Sequence, residues 1–423
     1  MNLIERDKKY VWHPFTQAKT ERDPLAIVKA KDTLLYDENG KSYIDINSSW
    51  WVNVHGHGHP EIQAAINEQF SKIDHVVFAG ITHPKAVELS EKIVNKLEND
   101  FSKVFFSDNG STAVEVAIKM AMQYWYNKGE PKRRMLAIEG AYHGDTFGAM
   151  SLGQRGYFNK PFEAFFFDAD YLPFPKGEDE KRSLEKAETL FKNGEFAAVI
   201  VEPLVQGSAG MRMYSEIWLD KLMQLAKKHD VLIIFDEVMT GWGRTGELFA
   251  MDHCENSPDI VCLSKGLTAG VLPMGLTVTK DFIYNAFLDE DKTKALLHGH
   301  SYTANALACA AACSSMDIFE RNETKENISR IVNNHKLFAE KMRTHNKLQD
   351  VRQWGTILAL EITQEEESSY FSSIREKALD YFFKNGIYLR PLGNVLFLNP
   401  PYCISDEELN YCYKHIESFI ENS

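Results

Sequence analysis

Six short runs of β-branched and apolar residues recur through the middle of this chain, separated by longer amphipathic or loop stretches, and that alternation most limits what it can fold into. The runs are Lys103–Asp108 (KVFFSD), Arg133–Glu139 (RRMLAIE), Ala197–Pro203 (AAVIVEP), Val231–Glu237 (VLIIFDE), Asp259–Lys265 (DIVCLSK) and Met274–Thr279 (MGLTVT). Near-continuous apolar strands are the mark of a sheet covered by helices on both faces, which is how parallel strands are connected. The pattern therefore predicts an α/β fold with a mainly parallel central sheet, the first strand being followed by a helix from Ser111 to Trp125. In such sheets ligands bind beyond the carboxyl ends of the strands. Asp108, Glu202, Asp236 and Lys265 all fall there.

The two ends of the chain read differently. Up to about Asp45 there are three short strand patterns (AIVKA, LLYDENG, SYIDI) around an Asn39-Gly40 turn signal. From about Ala311 a charged helical region leads to LALEIT, a helix, GIYLRPLG, VLFLNPP and a final amphipathic helix. Both ends are expected to build one smaller α+β domain, with boundaries at 1–50, 51–310 and 311–423; a chain of 423 residues is long enough for this arrangement.

A formal net charge of -13 disfavours nucleic acid and anionic membrane surfaces, which require dense Lys and Arg. The start, MNLIERDKKYVWHPF, has no apolar signal core, and no apolar run approaches the roughly 20 residues that span a bilayer. A cytoplasmic location is expected. The six cysteines form no CxxC pair and are expected to be free, buried thiols. His55, His57 and His59 form the one dense histidine run, but the glycines between them and Pro60 after them point to a turn, and no metal site is expected.

The strongest chemical signal is a strand ending in Asp236 and a second ending in Lys265, each followed by glycine-rich sequence (GWGRTG and KGLTAG). A carboxylate and an amine delivered to one sheet edge are what pyridoxal chemistry needs: the amine condenses with the aldehyde and shuttles a proton, and the carboxylate keeps the ring nitrogen protonated. Asp108-Asn109-Gly110-Ser111-Thr112 lies at a strand-to-helix junction, where unpaired amides and the helix dipole favour an anion such as the cofactor phosphate; taken alone it reads as an N-cap at Ser111. His298-Gly299-His300-Ser301-Tyr302 offers a further hydroxyl and amide to that phosphate. Tyr142 follows the second strand and is placed to stack on a pyridine ring, and at least one of Trp50 and Trp51 is expected to line a cavity. Arg244, in the GWGRTG turn, and Arg390, before a Pro-Leu-Gly turn, are candidate carboxylate binders because a guanidinium holds a carboxylate through two hydrogen bonds.

These motifs in this order resemble the class III aminotransferases, fold-type I enzymes that depend on pyridoxal 5'-phosphate. The likeness runs almost end to end, through WHPFTQ, SSWWVNVHGHGHP, HVVFAGITHPKAVEL, VFFSDNGSTAVEVAIKMAMQYW, YHGDTFGAMS, IVEPLVQGSAGMRMY, FDEVMTGWGRTGELFA, PDIVCLSKGLTAG, HGHSYTANALACAAA and LRPLGNVLFLNPPY. The resemblance implies that Lys265 carries the cofactor, Asp236 partners its ring nitrogen, Tyr142 stacks on it, and Gly110 with Ser111 cradles the phosphate. It also implies that Trp50 touches the substrate and that Arg390 holds the carboxylate of a keto acid. One active site then admits an amino donor and a keto acid in turn, which suits aromatic walls such as Phe15, Trp50, Trp51 and Tyr142. The loop bearing His300 and Ser301 is implied to reach the phosphate of a neighbouring subunit, making a homodimer with shared sites. Two positions depart from the family pattern: Phe15 stands where many relatives have a tyrosine, and Gly299-His300-Ser301 stands where Gly-Pro-Thr is common, with Ser301 keeping the hydroxyl.

Overall fold

The computed structural model describes residues 1–364 and 372–422. Its central sheet has seven strands: β1 (Phe101–Ser107), β2 (Arg134–Ile138), β3 (Ala169–Leu172), β4 (Phe196–Val201), β5 (Leu232–Asp236), β6 (Ile260–Leu263) and β7 (Gly275–Lys280), in the order β1-β7-β6-β5-β4-β2-β3. The contiguous pairs from β6 through β5, β4 and β2 to β3 are parallel, and β7 runs antiparallel to both of its neighbours, β6 and β1. The mainly parallel sheet expected from the apolar runs is therefore present. β3 has no counterpart among those runs, because it is an edge strand with only Leu172 buried and carries Asp170 and Tyr171.

The continuous apolar runs have a simple cause. Ala198 and Ile200 of β4, Leu232 and Ile234 of β5, and Ile260 and Cys262 of β6 pack into one core; Val199, Val201, Ile233, Phe235, Val261 and Leu263 pack into another on the opposite face. Successive side chains alternate across a strand, so a sheet covered on both sides must be apolar at every position. Each of the Val, Leu, Ile and Phe side chains among them contributes roughly 1.5–3 kcal/mol by leaving water. The first core is covered by helix α1 (Gly110–Asn127), whose Ala113, Val114, Ala117, Ile118 and Ala121 supply the apolar stripe. Small residues at three of those five positions let the helix lie close to the strands.

Segments from the two chain ends share one sheet. Strands Ile27–Lys31, Leu34–Asp37 and Ser42–Asp45 form an antiparallel meander, and Ile387–Tyr388 from the far end adds to it in parallel, Ile387 opposite Ile44. Leu348–Trp354, Ile357–Ile362 and Val395–Leu398 make a separate antiparallel sheet. The strand read in GIYLRPLG stops at Tyr388, so Arg390 lies in the loop beyond it, its backbone N–H donating to Asn47 Oδ1 at 2.6 Å. All six cysteines are unpaired; Cys262, Cys309, Cys313 and Cys412 are buried, whereas Cys254 is only partly so and Cys403 is exposed. Among the described residues no helix is long and apolar enough to cross a membrane.

Candidate active site

The carboxyl ends of β1, β4, β5 and β6 open on a cavity of about 610 Å³ lined by Gly110, Ser111, Tyr142, Glu202, Asp236 and Lys265 together with Trp51. Lys265 lies just past β6, where the backbone turns left-handed at φ 45° into a short 3₁₀ turn. Its amine sits 4.7 Å from the centre of the Trp51 ring. The cavity leaves part of the side chain accessible, yet the ammonium is surrounded by protein, and that desolvation pulls its pKa down to about 8 against the opposing pull of Asp236 and Glu202. A lysine so placed sheds its proton far more readily than an exposed one, as a nucleophilic amine must. Gly266 follows because the Trp242 indole packs on it, donating Nε1–H to the Ser264 carbonyl at 3.1 Å; a Cβ there would lie 2.8 Å from that ring.

Asp236 ends β5 and points one carboxylate oxygen at Nδ1 of His143, 2.7 Å away, while the other accepts the Val238 N–H at 3.1 Å. An ionised carboxylate only accepts, so the proton of this contact is on Nδ1. His143 Nε2 is buried without a partner. Glu202, one residue past β4, accepts the N–H of Tyr142 at 3.0 Å and of Gly207 at 2.9 Å, and complete burial raises its pKa to about 7. The Tyr142 hydroxyl donates to Asp145 at 3.1 Å, and burial raises its pKa. Glu202, placed at this edge from its strand-end position, is part of the site; His143 and Asp145 join it without having been singled out from the sequence, the adjacent Tyr142 being the available signal.

At the start of α1 the cap is Asn109 rather than Ser111. Asn109 Oδ1 accepts the Thr112 N–H at 3.0 Å and its carbonyl accepts that of Ala113 at 3.0 Å. The amides of Gly110 and Ser111, both lining the cavity, are the ones left for an anion. Ser111 Oγ accepts the Asp145 N–H at 3.3 Å instead of capping. Gly144, at φ 123°, packs so closely that a Cβ would collide with the Ser111 side chain. A primary amine for an aldehyde, a carboxylate for a ring nitrogen and two free helix-terminal amides around one cavity fit pyridoxal 5'-phosphate: Lys265 would hold its aldehyde carbon, Asp236 its ring nitrogen, and Gly110 and Ser111 its phosphate.

Trp50 and Trp51 sit in a turn in which Ser48, Ser49, Trp50 and Trp51 are all left-handed, with φ of 49°, 44°, 70° and 72°. Each non-glycine residue in that region costs on the order of 1–2 kcal/mol. Trp51 is 5% exposed and Trp50 is 45% exposed. Trp51 also borders a second cavity of about 530 Å³, lined by Trp50, Arg390, Tyr388 and Arg375, where the Arg390 guanidinium lies 5.4 Å over the Trp50 ring. Phe15 packs beside Trp50 with ring centres 5.6 Å apart and planes tilted by 55°, outside the lining of either cavity.

One expectation is corrected. Arg244 is 1% exposed and gives its terminal nitrogens to the carbonyls of Pro400 (2.8 Å), Asn399 (3.4 Å) and Trp51 (3.1 Å), so it braces the tryptophan turn and presents no fork to a substrate carboxylate. Gly299, His300 and Ser301, implied to serve a neighbouring subunit, do not line this chain's own cavity. Gly299 and Ser301 are exposed, and His300 instead faces His298 (3.2 Å) and Asp108 (3.6 Å). The histidine run also has other work: His55 bonds the Ser315 carbonyl, His57 bonds Asp45, and His59 precedes the helix Pro60–Phe70.

A seven-stranded sheet with one antiparallel strand, carrying a buried lysine and a strand-end aspartate over one cavity, defines a fold-type I pyridoxal-phosphate-dependent transferase. The profile of the Aminotransferase class-III family matches residues 16–420, and the chain belongs to that family. It is 43% identical over 420 residues to the adenosylmethionine-8-amino-7-oxononanoate aminotransferase of Synechococcus elongatus, covering 97% of this chain and 98% of that protein. The enzyme of the same name from Geobacter sulfurreducens is 37% identical, with 99% and 97% covered. Among solved structures, the adenosylmethionine-8-amino-7-oxononanoate aminotransferase of Methanocaldococcus jannaschii superposes with a TM-score of 0.94 at 36% identity, covering 100% of this chain and 99% of that one. A pyridoxal-phosphate-bound amine transaminase from an uncultivated Pseudomonas species does so at 0.92 and 28% identity.

Proposed function

We propose that this aminotransferase converts 8-amino-7-oxononanoate to 7,8-diaminononanoate in biotin biosynthesis, taking the amino group from S-adenosylmethionine or, alternatively, lysine. The observation that carries the reading is the pair of cavities meeting at Trp51: one holds Lys265 and Asp236, the other holds Arg390 under Trp50. A long keto acid can thus place its carbonyl near the amine and its carboxylate near the guanidinium. When bound, pyridoxal 5'-phosphate supplies an aldehyde and a ring that accepts the electron pair released at the substrate carbon. With the group bound, Lys265 Nζ would take and return the proton of the substrate carbon, a role its lowered pKa suits. Asp236 keeps a proton on the ring nitrogen, held in place by His143. Gly110 and Ser111 would hold the phosphate and Tyr142 would flank the ring, while Phe15, Trp50 and Trp51 would exclude water from the substrate.

The donor turns on Phe15, which brings no hydroxyl to the Trp50 side of the site; S-adenosylmethionine remains the first choice because of the relatives' names. The assembly we propose is a homodimer in a cytoplasmic setting, in which the exposed Gly299, Ser301 and Tyr302 reach a second copy's phosphate. The test is to give the purified, cofactor-loaded protein 8-amino-7-oxononanoate with each donor separately and assay diaminononanoate by mass spectrometry. Product with lysine alone would reassign the donor. No product with either, but turnover of simple ω-amines, would move the chain to another class III activity.

A further inference from the structure

We infer that Asp45 is a positioning residue for the substrate-facing tryptophans: it clamps the left-handed turn that carries Trp50 and Trp51. Asp45 is the last residue of strand Ser42–Asp45, is 0% exposed, and touches neither cavity. Its Oδ1 accepts the Ser49 N–H at 2.9 Å and its Oδ2 accepts the Ser49 hydroxyl at 2.6 Å. The same Oδ2 faces His57 Nε2 at 2.9 Å, and His57 Nδ1 meets Asn53 Nδ2 at 2.8 Å on the far side of the turn. One buried carboxylate is therefore bonded to the middle of a four-residue left-handed run and to the segment leaving it.

That run needs a clamp. It contains no glycine, so every one of its residues is held where an L side chain is disfavoured, and such a conformation persists only where surrounding bonds over-determine it. The other bonds tie the residues on either side of Ser49: the Trp51 N–H donates to the Asn47 carbonyl at 2.9 Å and the Val52 N–H to that of Ser48 at 3.0 Å, Ser48 Oγ donates to the Asn399 carbonyl at 2.7 Å, Asn47 Nδ2 to that of Phe397 at 2.9 Å, and Arg244 to that of Trp51. Asp45 alone holds Ser49, the residue immediately before Trp50. If the turn relaxed toward ordinary φ, the two indoles would swing away from Arg390 and Lys265, which they now face at 5.4 and 4.7 Å. The strain thus serves to send two adjacent aromatic rings to two cavities.

The inference rests on the proposed substrate reading only for which substrate is affected, and it is tested on the holoenzyme by both kinetics and spectroscopy. Asp45→Asn should raise KM for the keto acid about tenfold, the size expected when a charge-assisted bond is replaced by a neutral one, and change the tryptophan near-ultraviolet circular dichroism. Cofactor affinity should stay within about twofold, because neither Asp236 nor Gly110 touches the clamp. Adding Ser49→Gly to that variant should recover at least about threefold of the loss, since glycine adopts left-handed φ without support. A role limited to general stability predicts no such recovery. Ser49→Ala, which keeps the backbone bond, should raise KM about threefold, and it decides alone if Asp45→Asn does not fold. An unchanged KM and unchanged dichroism, or a double variant no better than the single one, overturns the inference. If the wild type fails to convert 8-amino-7-oxononanoate, the substrate reading falls separately, and the dichroism of the same variants still judges the clamp.

Discussion

His143 Nδ1 lies 2.7 Å from Asp236 Oδ2, at the carboxyl edge of β5, with the imidazole fully buried and the carboxylate only 5% exposed. The contact makes the imidazole a fixed donor to the carboxylate and leaves Nε2 buried and unpaired. Asp236 is thereby held with its charge directed into the cavity. The arrangement separates two jobs that one residue cannot do: Asp236 carries the charge, and His143 fixes where it points.

Asp236→Asn should fold and bind cofactor yet lose at least about 10²-fold in kcat, since an amide cannot keep the ring nitrogen protonated. His143→Asn should cost about tenfold, the equivalent of one charge-assisted hydrogen bond at about 1.5 kcal/mol. Single-turnover rates with a saturating donor measure both. An Asp236→Asn enzyme of near-normal rate would remove the residue from its role.

Lys265→Ala should abolish turnover and the covalent attachment of cofactor. Borohydride treatment followed by intact-mass spectrometry should add the reduced cofactor to the wild type and nothing to the variant. Added mass on the variant would assign the attachment to another lysine.

The rate at which apoenzyme combines with pyridoxal phosphate should rise with pH around a midpoint near 8, because the Lys265 amine reacts only when neutral and desolvation has lowered its pKa to about 8. The same shift has a stability sign: a lysine with a lowered folded pKa binds fewer protons folded than unfolded, so apoenzyme stability from this group increases as pH rises from about 8 toward 10.5. Stopped-flow absorbance from pH 6 to 10 follows the first effect and denaturant titrations follow the second. A flat rate profile across that range would show that the amine is not poised as the cavity implies.

Arg390→Ala should weaken the keto acid half-reaction by about 10- to 100-fold in kcat/KM, as expected for losing charged hydrogen bonds worth about 1.5–3 kcal/mol, and leave the donor half-reaction within about threefold. Stopped-flow spectra of each half-reaction separate the two. Loss confined to the donor side would assign Arg390 to the other substrate.

Arg244→Met should act on stability rather than on carboxylate affinity. It removes a buried guanidinium that bonds three carbonyls, and urea unfolding should show a loss of about 2–4 kcal/mol. A selective rise in KM for the keto acid at unchanged stability would restore the role suggested by its place in the GWGRTG turn.

The residues legible in the sequence share one property: their meaning depends on neighbours in the chain. A strand apolar at every position, ended by Asp236 or Lys265, states both its burial and the edge at which its last residue emerges, and Asn109-Gly110-Ser111 states that a helix begins there. The sequence alone therefore determined the sheet, its functional edge and the lysine–aspartate pair. Tertiary structure decided what depends on contacts between distant segments: His143 meets Asp236 across 93 positions and Arg390 bonds Asn47 across 343. It also decided that Arg244 turns inward, that Gly299–Ser301 leave their own cavity, and that Ser48–Trp51 take a left-handed path. The physical reason is that backbone hand at non-glycine residues and the partner of a buried charge are set by whichever remote groups supply the compensating bonds, and those are known only once the chain has closed on itself.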